Sequence, residues 1–259
     1  MSNRKSILIT GASRGIGKAI AYEFARNGYD LYLTCKNNIA LLEEIKCELE
    51  NKSEPSNCES ANAYNSSENS QHTICHIFQC DMGNAKDVER LFQSIPSIDV
   101  IVNNAGISHV GLLTDMSVEE WHSVMATNLD SLFYTSKYGV PKMLQNHSGK
   151  IINISSVWGN VGASMEVAYS ASKGAVNTFT KALAKELAPS NIQVNAISCG
   201  LIDTDMNACF SEEDLHYIIE EIPADRMGQP EEVARLCYML AEAPEYMTGQ
   251  IITIDGAWT

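Results

Sequence analysis

Tyr169 and Lys173 stand four residues apart in the run YSASKGAVNTFTKALAKELA, whose apolar spacing predicts a helix, so both side chains fall on one face. That spacing has a chemical use. A phenol with a pKa of about 10 is a poor proton shuttle near neutrality, and a nearby ammonium favours its ionised form. The pair suits delivery of a proton to an oxygen that gains charge during a reaction.

A second group lies near the start of the chain. In TGASRGIGKAI, residues 10–20, Gly11, Gly15 and Gly17 occupy a turn that follows an apolar strand-like run and opens a helix. Glycines there let the backbone approach a pyrophosphate, whose charge is held by amides at the helix N-terminus. A dinucleotide is the expected ligand. At the tip of the second strand an acid would bond the adenosine ribose hydroxyls and repel a 2′-phosphate. The segment LYLTCKNN carries no acid there; Lys36 stands near that place and Arg14 lies in the glycine loop. Both cations suit a 2′-phosphate, which favours NADP(H) over NAD(H).

Positioning such groups requires a rigid frame, and the hydrophobic pattern supplies one. Short runs rich in Ile, Val and Leu recur at 6–10, 30–34, 74–79, 98–102, 150–154, 192–197 and 250–254. Amphipathic stretches of helical length fill the intervals, at 17–27, 39–50, 85–95, 117–139 and 169–188. The alternation predicts an α/β fold: a single Rossmann-type doubly wound sheet of about seven parallel strands with helices on both faces. One domain spans 1–259. Residues 51–73, dominated by Asn, Ser and Glu, are expected as a flexible surface insertion within it.

Five motifs, TGASRGIG at 10–17, CDM at 80–82, NNAG at 103–106, NISSVWG at 153–159 and YSASK at 169–173, occur in an order and at intervals that resemble the short-chain dehydrogenase/reductase family over essentially the whole chain. The resemblance implies a nicotinamide-dependent carbonyl reductase needing no metal. It adds Ser13 and Ile16 of the glycine loop to the cofactor contacts, sets Asp81 and Met82 beside the adenine and Asn104 beside the cofactor, and brings Ile202 and Thr204 to the nicotinamide end. Tyr169 and Lys173 also touch the cofactor, Lys173 at the nicotinamide ribose. By the same resemblance Ser156, immediately before the V-x-G step, holds the substrate oxygen, Tyr169 is the general acid, and Asn128 holds a water that links Lys173 to solvent. One position departs from the family: Cys199-Gly200 replaces the Pro-Gly that many relatives carry after the sixth strand. Cys199 is expected as a packing residue, with a redox-sensitive thiol as the alternative.

The substrate is less constrained. SRGIG, the NNAGIS turn and the DTDM loop are similar to those of 3-oxoacyl-[acyl-carrier-protein] reductases. Those enzymes dock an acidic carrier on basic residues, whereas this chain offers Lys150 as the main cation, with His147 and Ser190 where bases are expected. The stretch from Trp158 through Glu166 to the catalytic helix resembles bacterial reductases acting on the 5-aminopentanone modification of elongation factor P. There Glu166, or the run from Asp203 to Asp205, would meet the substrate ammonium. Trp158, Met165, Glu166 and Met206, with Ile107, are the expected pocket residues, and 203–223 the expected lid. A non-catalytic cofactor-binding regulator of the same fold is the alternative from another class; such relatives usually lose the Tyr or Lys that this chain keeps. The resemblance also implies a homotetramer formed through helices at 118–145 and 168–188 and the last strand.

Composition bounds the partners. A net charge of −14 over 259 residues would repel a phosphate backbone, so nucleic acid is not expected as a partner. No apolar run approaches membrane-spanning length and the N-terminal run is too short for a signal peptide, which places the protein in the cytoplasm. The eight cysteines are expected as free thiols. His72, Cys75, His76 and Cys80 cluster without zinc-type paired spacing, so no metal is expected there.

Overall fold

The computed structural model describes residues 4–51 and 73–259; apart from its two ends, the expected insertion at 51–73 lies outside the described residues, as does His72. Seven strands form one sheet: β1 Ser6–Ile9, β2 Asp30–Cys35, β3 Cys75–Gln79, β4 Val100–Asn103, β5 Gly149–Ser156, β6 Ile192–Cys199 and β7 Ile251–Ile254. Their order is β3-β2-β1-β4-β5-β6-β7, every pair parallel. The order reverses between β1 and β4, and a crevice opens there at the carboxyl ends of the strands.

Period-two alternation divides the strand side chains between two cores. Ile7 and Ile9 of β1, with Val100 and Val102 of β4, pack on Ile20, Ala21 and Phe24 of helix α1 (Gly15–Arg26) and on Val233 and Leu240 of the last helix (Pro230–Ala241). Leu8 and Ile101 face the other way, onto Val88, Leu91 and Phe92 of α3 (Ala85–Gln93). Each such side chain withdrawn from water contributes about 1.5–3 kcal/mol, which makes the sheet the rigid part of the molecule. Helix α2 (Ile39–Asn51) links β2 to the undescribed segment.

The structure departs from the sequence pattern where the site lies. The stretch 117–139 is not one helix: α4 (Val118–Met125) leads into a π-helical turn, Ala126–Asp130, and then α5 (Ser131–Asn146). β5 and β6 run two residues beyond their apolar cores, pairing Ser155 with Ser198 and Ser156 with Cys199. A short helix α6 (Trp158–Val161) precedes α7 (Val167–Leu187). The expected lid holds a tight turn at Asp205–Cys209 and helix α8 (Glu212–Glu220), whose start is fixed by a reciprocal Ser211–Asp214 capping box.

Candidate active site

The glycine loop joins β1 to α1, and its shape depends on two glycines. Gly11 has φ +66°, and a Cβ on Gly17 would lie 2.4 Å from Gly11 O and 2.5 Å from Asn104 Nδ2. Asn104 staples the loop to β4: its Nδ2 donates to Thr10 O at 2.9 Å and Gly11 O at 3.0 Å, while its N–H donates to Thr10 Oγ1 at 3.0 Å. Arg14 is the cap of α1, extended and making no side-chain cap bond. In contrast, Asn84 caps α3 by accepting from Lys86 N and Asp87 N. The first amides of α1 therefore keep their donors for an anion.

Beside this loop runs a groove of about 740 Å³, lined among others by Gly11, Ser13, Arg14, Gly15, Ile16, Lys36, Asp81, Met82, Asn104, Ile107 and Thr204. Its position beside the glycine loop and its uncapped helix start fit the pyrophosphate of a nicotinamide dinucleotide. Gly17 is buried beneath the loop rather than in the groove. Both cations expected to read a 2′-phosphate stand at the groove, each facing a carboxylate: Lys36 Nζ is 2.8 Å from Asp81 Oδ2 and Arg14 is 3.4 Å from Asp205 Oδ2. Asp81 also accepts from Gly83 N at 3.0 Å. Met82 is buried, its sulfur accepting from the Thr34 hydroxyl at 3.6 Å.

Where the groove meets the crevice, β5 and α7 bring three polar side chains together. Ser156, the last residue of β5, lines the same pocket as the phenol of Tyr169. Ser155 turns its hydroxyl elsewhere, donating to Asn177 Oδ1 at 2.7 Å. Lys173 is 5% exposed; its Nζ lies 5.6 Å from the centre of the Tyr169 ring and donates to Ile154 O at 2.8 Å. Burial lowers the Lys173 ammonium from 10.5 to about 8. For Tyr169 burial is again the largest influence and raises its pKa well above 10, with the neighbouring Ser156 acting in the opposite direction.

Asn128 sits in the π turn, where the wider winding displaces it from the register of a regular helix. It is fully tied: Oδ1 accepts from Ile107 N at 2.8 Å, and Nδ2 donates to Ile107 O at 2.9 Å and Ser172 Oγ at 3.0 Å. A Cβ on Gly106 would lie 3.4 Å from Asn128 Oδ1 and 3.5 Å from Lys173 Nζ, ordinary contact distances, so the glycine backbone runs between the two groups.

A pocket of about 520 Å³ continues from these groups. Trp158, Glu166, Cys199, Ile202 and Met206 line it with Ser156, Tyr169 and Lys173. Glu166 is half-buried; it accepts from Ser108 Oγ at 2.8 Å, while burial raises its pKa. The Cys199 thiol is pushed up to about 12 by burial, which favours its neutral form. Met165 is corrected: it is exposed, has φ +62°, and lies outside the pocket lining, its carbonyl accepting from Gly111 N. Four pocket residues had no local signal as site residues: Phe210, Ile218 and Glu221 from the lid, and Trp258 from the chain's last turn.

Residues 5–215 match the family model for short chain dehydrogenases. The chain is 39% identical to the uncharacterized oxidoreductase YmfI of Bacillus subtilis (strain 168), over 98% of both. It is 37% identical to the 3-oxoacyl-[acyl-carrier-protein] reductase FabG of Aquifex aeolicus (strain VF5), over 97% of this chain and 96% of that one. Among solved structures, YwfH, an NADPH dependent reductase involved in bacilysin biosynthesis, superposes with a TM-score of 0.88 at 26% identity, covering 99% of each chain. The chain belongs to the short-chain dehydrogenase family. It is an NAD(P)H-dependent oxidoreductase acting on carbonyl or alcohol groups. Among the described residues no helix is long and apolar enough to cross a membrane.

Proposed function

We propose that the protein is an NADPH-dependent ketone reductase in which Ser156 holds the substrate oxygen and Tyr169 protonates it. The observation that carries this is the convergence of Ser156, Tyr169 and buried Lys173 on one pocket, with Lys173 Nζ 5.6 Å from the Tyr169 ring centre, where that pocket meets the groove beside the glycine loop. When bound, the nicotinamide supplies a hydride to the carbonyl carbon. Ser156 donates a hydrogen bond to the carbonyl oxygen and fixes its direction. Tyr169, protonated at neutral pH, releases its proton to that oxygen as negative charge gathers there. Lys173, charged below about pH 8, stabilises the phenolate left behind. Asn128, anchored on both sides, orders the water through which Lys173 is reprotonated. Gly11, Ser13, Arg14, Gly15, Ile16, Asn104 and the first amides of α1 would hold the pyrophosphate end, Asp81 and Met82 the adenine, Lys36 with Arg14 the 2′-phosphate, and Ile202 with Thr204 the nicotinamide end. Retention of all four of Asn128, Ser156, Tyr169 and Lys173 argues against a non-catalytic regulator.

Two substrates suit the pocket, each with its own support. A 3-oxoacyl thioester is favoured by the likeness to FabG. The 5-aminopentanone group on elongation factor P is favoured by Glu166, a half-buried carboxylate able to pair with an ammonium within the pocket. Lys150, the main cation where a carrier protein would dock, instead donates to Ala243 O at 2.8 Å. The reading includes a cytoplasmic homotetramer built through α5, α7 and β7. Oxidation of NADPH is measured side by side with acetoacetyl thioester and with aminopentanone-modified elongation factor P. Turnover of one names the substrate, and Tyr169→Phe is expected to lower kcat by about 10²–10⁴-fold. Full turnover in that variant would overturn the assignment of the acid.

A further inference from the structure

Beyond β7 the chain ends in a turn organised by one carboxylate. Asp255 Oδ1 accepts from Ala257 N at 3.0 Å, and Oδ2 accepts from Thr259 N at 2.9 Å and Thr259 Oγ1 at 3.0 Å. Gly256 O accepts from Ala224 N at 3.2 Å, fastening the turn to the segment after α8. The tail crosses the carboxyl end of β6 where Gly200 leaves room, since a Cβ there would lie 2.7 Å from Asp255 Cβ. Trp258 is thereby carried into the lining of the substrate pocket. Its ring meets Trp158 edge-to-face, with centroids 4.8 Å apart and planes at 62°. Trp158 is itself held at the reacting end: its backbone N–H donates to Ser156 Oγ at 3.2 Å.

We propose that Trp258 is a specificity-determining residue, closing the pocket against Trp158 and restricting the carbonyl substituent on that side to a short one. The inference rests on the reductase reading and sharpens its substrate class. Two indoles in van der Waals contact leave no passage between them. Each is a rigid plate with few rotamers, and the edge-to-face contact adds to the area they bury. The Asp255 turn and the Gly256 contact fix the backbone from which the Trp258 ring projects. A long acyl chain needs a slot that continues past the carbonyl, and the two rings together occupy one side of the pocket that would supply it. Because the tail belongs to the same chain as Ser156 and Tyr169, the wall accompanies every copy of the site.

The test compares kcat/KM for the N-acetylcysteamine thioesters of acetoacetate and of 3-oxododecanoate in the wild type, Trp258→Ala and Trp258→Phe. The wild type is expected to favour acetoacetate. Trp258→Ala should raise the relative rate on the long substrate by about tenfold or more, the scale on which pocket methylenes are discriminated. Trp258→Phe, which keeps an aromatic plate, should move the ratio in the same direction by a smaller factor. An unchanged ratio in Trp258→Ala protein that still binds NADPH would overturn the proposal. Failure of the wild type on both thioesters would strike the thioester reading instead. The tail is then judged from dissociation constants of short and long 3-hydroxyacyl thioesters for NADP⁺-loaded protein. Selective tightening of the long one in Trp258→Ala supports the wall, and equal change in both refutes it.

Discussion

Burial pushes Tyr169 and Lys173 toward their neutral forms, the phenol by raising its pKa and the ammonium by lowering its own to about 8. Reduction needs the neutral phenol but the charged ammonium, so Lys173 sets the alkaline limit. The charge is present below its pKa and is lost as pH rises through about 8, rather than through 10.5. In the reductive direction kcat/KM, which reports the free enzyme, should therefore fall above about pH 8. Lys173→Arg, which keeps its charge, should remove that limb even if its rate is lower; an identical profile would assign the limb to another group. Lys36 carries the second residue-scale prediction. It already faces Asp81 at 2.8 Å, and a 2′-phosphate would share that ammonium with the carboxylate. Lys36→Asp replaces an attraction of about 1.5–3 kcal/mol by a repulsion, so the kcat/KM ratio of NADPH to NADH should fall by about tenfold or more. No shift would undo the reading of the second-strand tip.

Among the elements, β5 and α7 carry the reacting side chains, and a buried polar chain beneath them fixes their register. Thr135 of α5 donates to Asn103 Oδ1 at 2.7 Å, Asn103 Nδ2 to Asn153 Oδ1 at 2.8 Å, and Asn153 Nδ2 to Thr180 Oγ1 of α7 at 2.9 Å. Asn153 is fully buried, so Asn153→Ala leaves the Asn103 amide without that acceptor. A loss of about 1–3 kcal/mol is expected, read as a lower denaturant midpoint. A change under about 0.5 kcal/mol, the range of ordinary surface substitutions, would mean the chain is not holding the helices. The glycine loop and the Tyr169–Lys173 pair were legible in the sequence because their geometry is local: a strand-turn-helix and an i,i+4 spacing. The π turn around Asn128 was not, since the apolar pattern of 117–139 is continuous and nothing in it marks the shifted hydrogen bonds. The ends of β5 and β6 were missed because Ser155, Ser156 and Ser198 read as polar, although strand pairing buries them. Trp258 escaped for a third reason. Its contact with Trp158 spans the chain and exists only once the sheet has closed.

At the scale of the whole molecule, like charge opposes the assembly implied by family likeness. Each chain carries −14, and identical copies repel one another over roughly the Debye length. Acting the other way are large apolar side chains that face solvent where partners are expected. Phe133 on α5 is 51% exposed, Val118 at the start of α4 64%, and Val167 at the start of α7 43%. Covering such surface is favourable and insensitive to screening, whereas the repulsion weakens as the Debye length shortens from about 30 Å at 0.01 M salt to about 8 Å at 0.15 M. The assembled fraction, measured by sedimentation at fixed protein concentration, should therefore rise with salt across that range. Phe133→Glu adds charge and removes apolar area at once, so it should shift the protein toward smaller species at both salt concentrations. NADPH affinity should stay intact, because Phe133 is not among the residues that line the groove. An assembly of the same mass in that variant at low salt would place the contact on another face of the molecule.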